Sequence, residues 1–363
     1  MLVDAKILTT GGFFIKKFPF IAFVFLGIVS TMLVFSSCTA NRFVTDISPE
    51  FTSETFLMDT VVTQKVYGKN GEKVIGMALK ILKDIEKDYS SYLPKSVVSE
   101  INAASGISPV TVSPEMFRVI RRCALFSEKS GGIFDLTISP LIKLWNITGD
   151  HPSIPSPEEI LTAQKRMDYR LVSFNEKEHT VFLTKPDMAL DFGATVKGYA
   201  AQKVLHLYQE SDLTGALLSL GGNIAVFGTK SDGSPFSIGL RDPLGDAGDY
   251  FATLSATETV IATSGAYERF FEQDGKIYHH ILDPKTGYPA ESDLLSVSVI
   301  SPDGLLADYL STVLFMMGTD AVKDHLDDER FSLVAVDQNH RVYVSPNVKK
   351  QFQLTSSSYT LAP

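Results

Sequence analysis

The stretch GLLADYLSTVLFMMG occupies residues 304–318 and is almost wholly apolar. Its composition predicts a buried helix over about residues 303–317. Asp308 lies inside this run, with Ser311 and Thr312 one turn later. An ionised carboxylate that is taken out of water costs several kcal/mol unless a partner compensates it. Three explanations are open: a polar helix edge that faces water, a buried ion pair, or a metal ion.

The spacing of these polar residues suits a metal. Asp308 and Thr312 are four residues apart, so their oxygens meet on one helical face, and Ser311 lies beside them. Ligands that are all oxygen favour a hard cation such as Mg²⁺ or Ca²⁺. The sequence has no Cys/His cluster that is typical of zinc. A simple side-chain contact between Asp and Thr within the helix is the alternative interpretation.

The rest of the chain alternates helical and strand-like stretches. Residues 71–89 carry apolar side chains at helical spacing. Ser113 and Pro114 begin a second helix, and SPEE at 156–159 is the capping box of a third. Strands or hairpins are predicted at residues 55–68, 170–184, 214–220, 223–228, 235–241, 258–263, 277–282 and 294–300. Hairpins mixed with helices predict an α+β fold, with mixed, hairpin-rich sheets and packed helices.

Bulk composition excludes some classes of protein. The chain has 363 residues, 44% of them hydrophobic, which is enough for a large core. Its net charge of −9 argues against a nucleic-acid partner, because such proteins normally present a basic face. The two cysteines, Cys38 and Cys123, do not make a disulfide framework.

The N-terminus is typical of an export signal. Lys16 and Lys17 precede an uncharged apolar stretch that ends in Ser36, Ser37 and Cys38. A basic start, an apolar centre and small residues before a cleavage point describe a secretory signal. The small residues before Cys38 fit a bacterial lipoprotein signal, in which that cysteine is lipidated. A transmembrane anchor is the alternative, because the apolar stretch is nearly long enough to span a bilayer.

This interpretation divides the chain into three parts. Residues 1–37 are predicted to be a lipoprotein-type signal peptide, residues 38–53 a polar tether, and residues 54–363 the functional domain. The predicted location is therefore an exported, membrane-anchored lipoprotein that faces the periplasm.

Several short stretches combine glycines with polar residues. Asp135 follows a double glycine, and Lys197 lies in the first turn of a predicted helix after Asp191. A cation is poorly placed at a helix N-terminus, so Lys197 favours a nearby anion, and the free N–H groups there would suit a phosphate. A surface lysine is the alternative. The spacing of a P-loop is missing.

Eight stretches together resemble the ApbE family, the FAD:protein FMN transferases. They are LMDT (57–60), SSYLPKSVVSEIN (90–102), SGGIFDLTISPLIKLW (130–145), DFGATVKGYA (191–200), LGGNIAVFG (220–228), IATSGAYERFF (261–271), HHILDPKTGYPA (279–290) and ADYLST (307–312). Their order is that of the family. Two departures are visible: Asp59 stands where many members have Gly, and FGATVKG replaces the commoner LGGIAKG.

The resemblance implies a fold and an activity. Family members have a tunnelling-fold-like architecture, bind FAD and Mg²⁺, cleave the pyrophosphate, and pass FMN to a Ser or Thr hydroxyl on a flavoprotein subunit while AMP leaves. The expected partners are FAD, acceptor subunits of Rnf- or Nqr-type redox complexes, and a membrane reached through the lipid anchor.

The resemblance also implies site residues. The implied metal ligands are Asp308, Ser311, Thr312 and the backbone carbonyl of Ala194. The implied FAD contacts are Met58, Tyr92, Ile133, Phe134, Asp135, Asp191, Lys197 and the backbone near Leu282. Glu268 and His280 are implied as further polar groups around the flavin and phosphates, and they join Asp308 and Lys197 as catalytic residues.

Some questions stay open at this point. His280 and Asp283 are both candidates to handle a proton, and the sequence does not choose between them. The same site would run as a hydrolase that makes FMN and AMP if water replaced the protein hydroxyl. A flavin-binding lipoprotein without enzymatic activity is the third interpretation.

Overall fold

The computed structural model of the chain describes residues 48–246 and 248–363. The predicted signal peptide (1–37), Cys38 and residues 39–47 of the predicted tether lie outside the described residues. Within the described residues, no helix is long and apolar enough to cross a membrane.

A mixed sheet of nine strands forms the centre of the fold. Its strand order is β1-β2-β6-β7-β10-β13-β14-β15-β17, and every neighbouring pair is antiparallel except β15 and β17. Smaller sheets have the orders β16-β9-β8, β3-β5-β4 and β11-β12. The strands are β1 Glu50–Leu57, β2 Thr60–Tyr67, β3 Val110–Thr111, β4 Val172–Asn175, β5 Thr180–Leu183, β6 Gly215–Leu220, β7 Asn223–Gly228, β8 Phe236–Arg241, β9 Tyr250–Ala256, β10 Glu258–Gly265, β11 Phe270–Gln273, β12 Lys276–His279, β13 Leu294–Ser301, β14 Ser332–Asp337, β15 Arg341–Val344, β16 Phe352–Leu354 and β17 Thr360–Leu361.

Helices cover one face of this sheet, and the three-stranded sheet β16-β9-β8 packs on the other. The helices are α1 Gly71–Tyr89, α2 Val97–Ala103, α3 Pro114–Lys129, α4 Ser139–Trp145, α5 Pro157–Gln164, α6 Val196–Gln209, α7 Gly304–Met317 and α8 Thr319–Asp324. Alternation along β10 illustrates the layering. Val260 packs with the helices, whereas Ile261 joins the core beneath the three-stranded sheet. The central strands are therefore buried on both faces, and this fixes their register.

Most sequence predictions of elements are confirmed. Helices are found at 71–89 and 304–317, close to the expected limits. Ser156 and Glu159 form the predicted reciprocal capping box of α5, and β4 and β5 form the predicted hairpin. The α+β fold class is also confirmed by this mixture of helices and antiparallel strands.

One element differs from the prediction. The stretch 55–68 reads as a single strand in the sequence, but it contains a hairpin turn at Met58 and Asp59, where the backbone φ angles are +52° and +57°. The strand before the turn begins at Glu50, so the last four residues of the predicted tether pair with β2. The turn was missed because it lacks the Asn-Gly or Asp-Gly pair that usually marks a two-residue hairpin.

Candidate active site

A cavity of about 520 Å³ opens beside the tip of the β1–β2 hairpin. Its wall includes the end of α1, the loop after it, and the start of α6. Four of the residues that the resemblance implies for FAD line this cavity: Met58, Tyr92, Asp191 and Lys197. Arg269 lines it as well and adds a second positive charge. The volume and the mixed apolar and charged wall suit a nucleotide-sized ligand.

Asp308 is buried beside this cavity, on α7. Its side chain is only 5% exposed. The backbone N–H of Gly198 donates to Oδ2 at 2.8 Å, and Nδ2 of Asn223 donates to Oδ1 at 3.2 Å. Burial raises the pKa of the Asp308 carboxyl, while the positive charge of Lys197 and these two hydrogen bonds act in the opposite direction. The carboxylate is thus partly compensated by donors on two other elements.

Close helix packing brings those donors to Asp308. Helices α6 and α7 touch at Gly198 and Gly304. A Cβ atom at Gly198 would lie 2.1 Å from the carbonyl oxygen of Gly304 and 2.5 Å from Cβ of Asp308. Only glycine fits this crossing, and the absence of a side chain lets the first turn of α6 point an N–H group at the carboxylate.

A group of hydroxyls surrounds the same turn of α7. Ser264 Oγ, at the end of β10, lies 2.9 Å from Ser311 Oγ and 3.0 Å from Thr312 Oγ1. Ser311 Oγ donates to the Asp308 carbonyl at 2.8 Å. Asn223 Oδ1 is buried and accepts no hydrogen bond from the described residues. Ser264 and Asn223 lie within stretches that the sequence analysis singled out, but neither was recognised as part of the site.

These residues fit a hard cation that is shared with a ligand. The described residues contain no group of three or more His, Cys, Asp or Glu side chains that would hold a metal alone. They do supply one buried carboxylate, several hydroxyls and the unpartnered oxygen of Asn223. Mg²⁺ is commonly held by one or two carboxylates plus phosphate oxygens of the substrate, so this donor set suits it. Ala194 lies in the loop that leads into α6, where its side chain packs against the core.

Lys197 provides positive charge at the boundary between cavity and carboxylate. It is the second residue of α6 and makes no salt bridge within the described residues. Asp191 stiffens the loop before it, because Oδ2 accepts from Ser91 Oγ and Oδ1 accepts from the Gly193 N–H, both at 2.7 Å. An unpaired cation at a helix N-terminus is the arrangement expected for an anion site.

Hydrogen bonds to α1 and to Arg269 hold the tip of the β1–β2 hairpin at the cavity wall. The N–H of Met58 donates to Glu86 Oε1 of α1 at 2.8 Å. Arg269 donates from Nη1 to Asp59 Oδ2 and from Nη2 to the Asp59 carbonyl, both at 2.6 Å. Asp59, which stands where the family resemblance expects Gly, therefore has a defined partner in this chain.

The other predicted catalytic residues do not line the cavity. His280 is held by the Arg269 carbonyl, which accepts from its backbone N–H at 3.0 Å and lies 3.2 Å from Nδ1. Burial lowers the pKa of His280 to about 4, so its imidazole is neutral at pH 7. Glu268 lies 3.9 Å from Arg241. Roles for both residues in catalysis stay predictions.

Four further FAD contacts implied by the resemblance do not line the cavity. Ile133 and Phe134 pack in the main core, where Phe134 meets Tyr309 edge to face at 5.5 Å. Asp135 Oδ1 accepts from the N–H and the hydroxyl of Thr137. Leu282 packs with Trp145. Their contact with FAD stays a prediction.

A larger depression of about 720 Å³ lies between α4 and α5. Its wall contains Lys143, Glu158, Glu159 and Arg166, and none of the predicted site residues. The smaller cavity is therefore the candidate active site, because it alone combines predicted ligand contacts with the buried carboxylate.

Comparison with protein families supports this choice. A family model described as the ApbE family matches residues 58–335. The matched region extends from Met58 at the hairpin tip past Asp308 on α7, so it contains the carboxylate and all the cavity-lining residues except Phe56.

Curated relatives share the same region. The FAD:protein FMN transferase of Treponema pallidum (strain Nichols) is 35% identical over 286 residues, which cover 74% of this chain and 79% of the relative. The FAD:protein FMN transferase of Klebsiella pneumoniae (strain 342) is 34% identical over 304 residues, covering 84% and 94%.

Solved structures share the fold. The crystal structure of an ApbE protein from Thermotoga maritima has a TM-score of 0.76 at 33% identity and covers 84% of this chain and 99% of its own. The apo flavinyl transferase ApbE of Pseudomonas stutzeri has a TM-score of 0.72 at 25% identity, covering 85% and 98%. The ApbE-like fold expected from the eight stretches is confirmed.

Proposed function

This chain belongs to the ApbE family and is a transferase, and from this premise we propose that it moves FMN from FAD to a protein hydroxyl. The acceptor in this proposal is a Ser or Thr on an exported or membrane flavoprotein subunit, such as one of the Rnf or Nqr type. Mg²⁺ is the proposed metal, and AMP is the second product.

The proposal depends mainly on one observation: two consecutive residues of α6 connect the cavity wall to the buried carboxylate of Asp308. Lys197 lines the cavity, and the next residue, Gly198, donates its N–H to buried Asp308. A pyrophosphate that lies against the start of α6 would meet the side chain of Lys197 and a cation held by Asp308. Phosphoryl transfer is catalysed mainly by positioning and by neutralising phosphate charge, and these groups supply both.

The proposed reaction balances as follows. The acceptor oxygen forms a bond to the phosphorus of the FMN half of FAD, and the bond from that phosphorus to the bridging oxygen breaks. The bridging oxygen leaves with AMP. The hydroxyl proton passes to a base, for which His280 and Asp283 are the two candidates.

In this proposal, Mg²⁺ would be held by oxygen atoms from one helix, a loop and a strand: those of Asp308, Ser311 and Thr312, the Ala194 carbonyl and Asn223 Oδ1. When bound, the ion would neutralise charge on the pyrophosphate oxygens. The protein's own share is to bind FAD in the cavity, to aim Lys197 at the phosphates, and to hold the hairpin tip over the ligand.

One experiment tests the transfer. The full chain in detergent is incubated with FAD, MgCl₂ and an Rnf- or Nqr-type acceptor subunit, and flavin fluorescence of the denatured acceptor is measured together with AMP. The proposal expects a fluorescent acceptor and equal amounts of AMP. Free FMN with AMP and no labelled protein would favour a hydrolase, and bound but unchanged FAD would favour a flavin-binding lipoprotein; either result would overturn the proposal.

We also propose that Cys38 is the lipidated first residue of the mature protein, which places the enzyme on a membrane facing the periplasm. The support is the basic pair Lys16–Lys17, the apolar run and the small residues before Cys38. Cys38→Ser should release the protein from membranes or leave an unprocessed precursor, as measured by fractionation and mass spectrometry. An unmodified Cys38 within an intact N-terminus would favour a transmembrane anchor instead.

A further inference from the structure

The strand β1 forms one outer edge of the nine-stranded sheet. It has eight residues, each paired in unbroken register with β2. Within residues 48–246 and 248–363, no strand pairs with its outer side. The opposite edge of the same sheet, β17, is only two residues long. Natural sheets usually shorten, bulge or interrupt their exposed edges to prevent pairing with other chains.

Edge strands of another sheet in the described residues are shortened or interrupted in this way. Edge strand β16 has three residues, and β8 is interrupted by a register shift at Leu240 and Arg241. The β1 edge has neither a bulge nor a proline nor a lysine in its sequence EFTSETFL. Two glutamates, Glu50 and Glu54, provide its only charges, and Glu50 is paired with Lys65.

The hairpin geometry shows which backbone groups face outward. The two-residue turn at Met58 and Asp59 makes Leu57 and Thr60 a hydrogen-bonded pair. Such pairs alternate along an antiparallel ladder, and the bond from the Gly68 N–H to the Pro49 carbonyl at 3.0 Å follows the same alternation. The N–H and C=O groups of the remaining residues therefore point away from β2. These outward residues are Glu50, Thr52, Glu54 and Phe56.

The outward edge runs directly into the candidate active site. Phe56, the last outward residue, lines the cavity together with Met58 at the tip. Phe56 is 70% exposed, and Val61, its cross-strand partner, is 51% exposed. Leu93, on the cavity wall, is 42% exposed. An apolar rim thus continues the strand edge to the mouth of the cavity.

We propose that the acceptor protein docks by adding an extended segment to the outer edge of β1, with its hydroxyl residue passing Phe56 into the cavity. This inference rests on the proposed function, since a transferase that modifies protein must hold a polypeptide at its cavity. Strand addition supplies affinity through main-chain hydrogen bonds, while side-chain pockets supply specificity. The outer edge of β1 offers the main-chain hydrogen bonds. The apolar rim of Phe56, Val61 and Leu93 offers the side-chain contacts.

A pair of substitutions at one residue tests this docking mode. Glu54→Pro removes an outward N–H and leaves the ladder with β2 intact, which is the position where an edge strand tolerates proline. Glu54→Ala removes the same side chain but keeps the N–H. We expect Glu54→Pro to have a kcat/KM for the acceptor about five- to tenfold below that of Glu54→Ala, the loss typical of one hydrogen bond. FAD affinity, measured by flavin fluorescence, should be the same in both and reports that the variants are folded.

Loss of the apolar rim should also weaken the kinetics with the acceptor. Phe56→Ser should raise the KM for the acceptor, whereas Ile107→Ser, which removes another highly exposed apolar side chain outside the cavity wall, should not. Equal kcat/KM values for the acceptor in Glu54→Pro and Glu54→Ala would overturn the docking proposal. Transfer by the wild-type protein would still support the proposed transferase function. Absence of transfer in wild type would instead overturn the function itself.

Hydrogen exchange on the wild-type protein gives a test without substitutions. Adding the acceptor should slow exchange of the outward N–H groups of Thr52, Glu54 and Phe56. Unchanged exchange at saturating acceptor would contradict docking at this edge. Protection that rises with enzyme concentration in the absence of acceptor would show pairing between two copies of the chain, and would also contradict the proposal.

Discussion

Two aspartates near the cavity are held in opposite ways. Asp59, at the hairpin tip, has a side chain that is 70% exposed and forms a close two-point contact with Arg269. Asp308 is buried, touches no cation among the described residues, and receives only two hydrogen-bond donors. The better-paired carboxylate is the one that needs pairing less, because water already solvates it.

The difference separates positioning from chemistry. An exposed ion pair contributes about 0–1 kcal/mol to stability, so Asp59 and Arg269 mainly fix where the hairpin tip lies. A buried carboxylate with incomplete compensation is costly, and such groups concentrate where a protein binds a cation or performs a reaction. The comparison predicts large functional effects at Asp308 and small ones at Asp59.

The largest effect is expected from Asp308→Ala. It should abolish FMN transfer, because the variant would lose the proposed anchor for a cation that would neutralise the pyrophosphate. The protein should still fold, since removal of the buried charge also removes its desolvation cost. In-gel flavin fluorescence measures the transfer, and circular dichroism checks the fold. Full activity that remains sensitive to EDTA would place the metal elsewhere.

An intermediate effect is expected from Lys197→Ala. The dissociation constant for FAD should rise by roughly tenfold or more at low salt, the size of a lost charge-assisted contact. Added salt should weaken FAD binding by wild type more than by the variant, because the lost contact is screened. Lys203→Ala is the matched control on the same helix, where the lysine is paired with Glu115. Equal FAD affinity of wild type and Lys197→Ala would refute a phosphate contact.

The smallest effect is expected from Asp59→Asn, which keeps an oxygen but removes the charge that holds Arg269. The KM for FAD should rise about two- to threefold, and the free energy of unfolding should change by less than about 1 kcal/mol. Asp84→Asn, at the surface pair of Asp84 with Lys80, controls for loss of an exposed charge. A loss of activity as large as that of Asp308→Ala would show that the tip takes part in the chemistry.

Local features of the fold and of the site could be predicted from the sequence. The helix around Asp308, the first-turn position of Lys197 and the capping box at Ser156 depend on residues a few positions apart. Their patterns are set by helical periodicity and by the free groups at helix ends, which a sequence displays directly.

Contacts between distant stretches could not be predicted in this way. Asn223 meets Asp308 across 85 residues, and Arg269 meets Asp59 across 210 residues. The sequence shows that each stretch is polar but not which turns the sheet order brings together. The resemblance to a family supplied the cavity residues, and it could not supply the Asp59 contact because the family usually has Gly there.

Metal-dependent binding of FAD tests the central claim most directly. Calorimetry would measure FAD affinity with and without Mg²⁺ for wild type and for Asp308→Asn, which keeps the shape and one oxygen but drops the charge. We predict that Mg²⁺ strengthens FAD binding to wild type, and that Asp308→Asn needs more than roughly tenfold higher Mg²⁺ for the same gain. An identical Mg²⁺ dependence in the two proteins would contradict the account of why this carboxylate lies in an apolar helix.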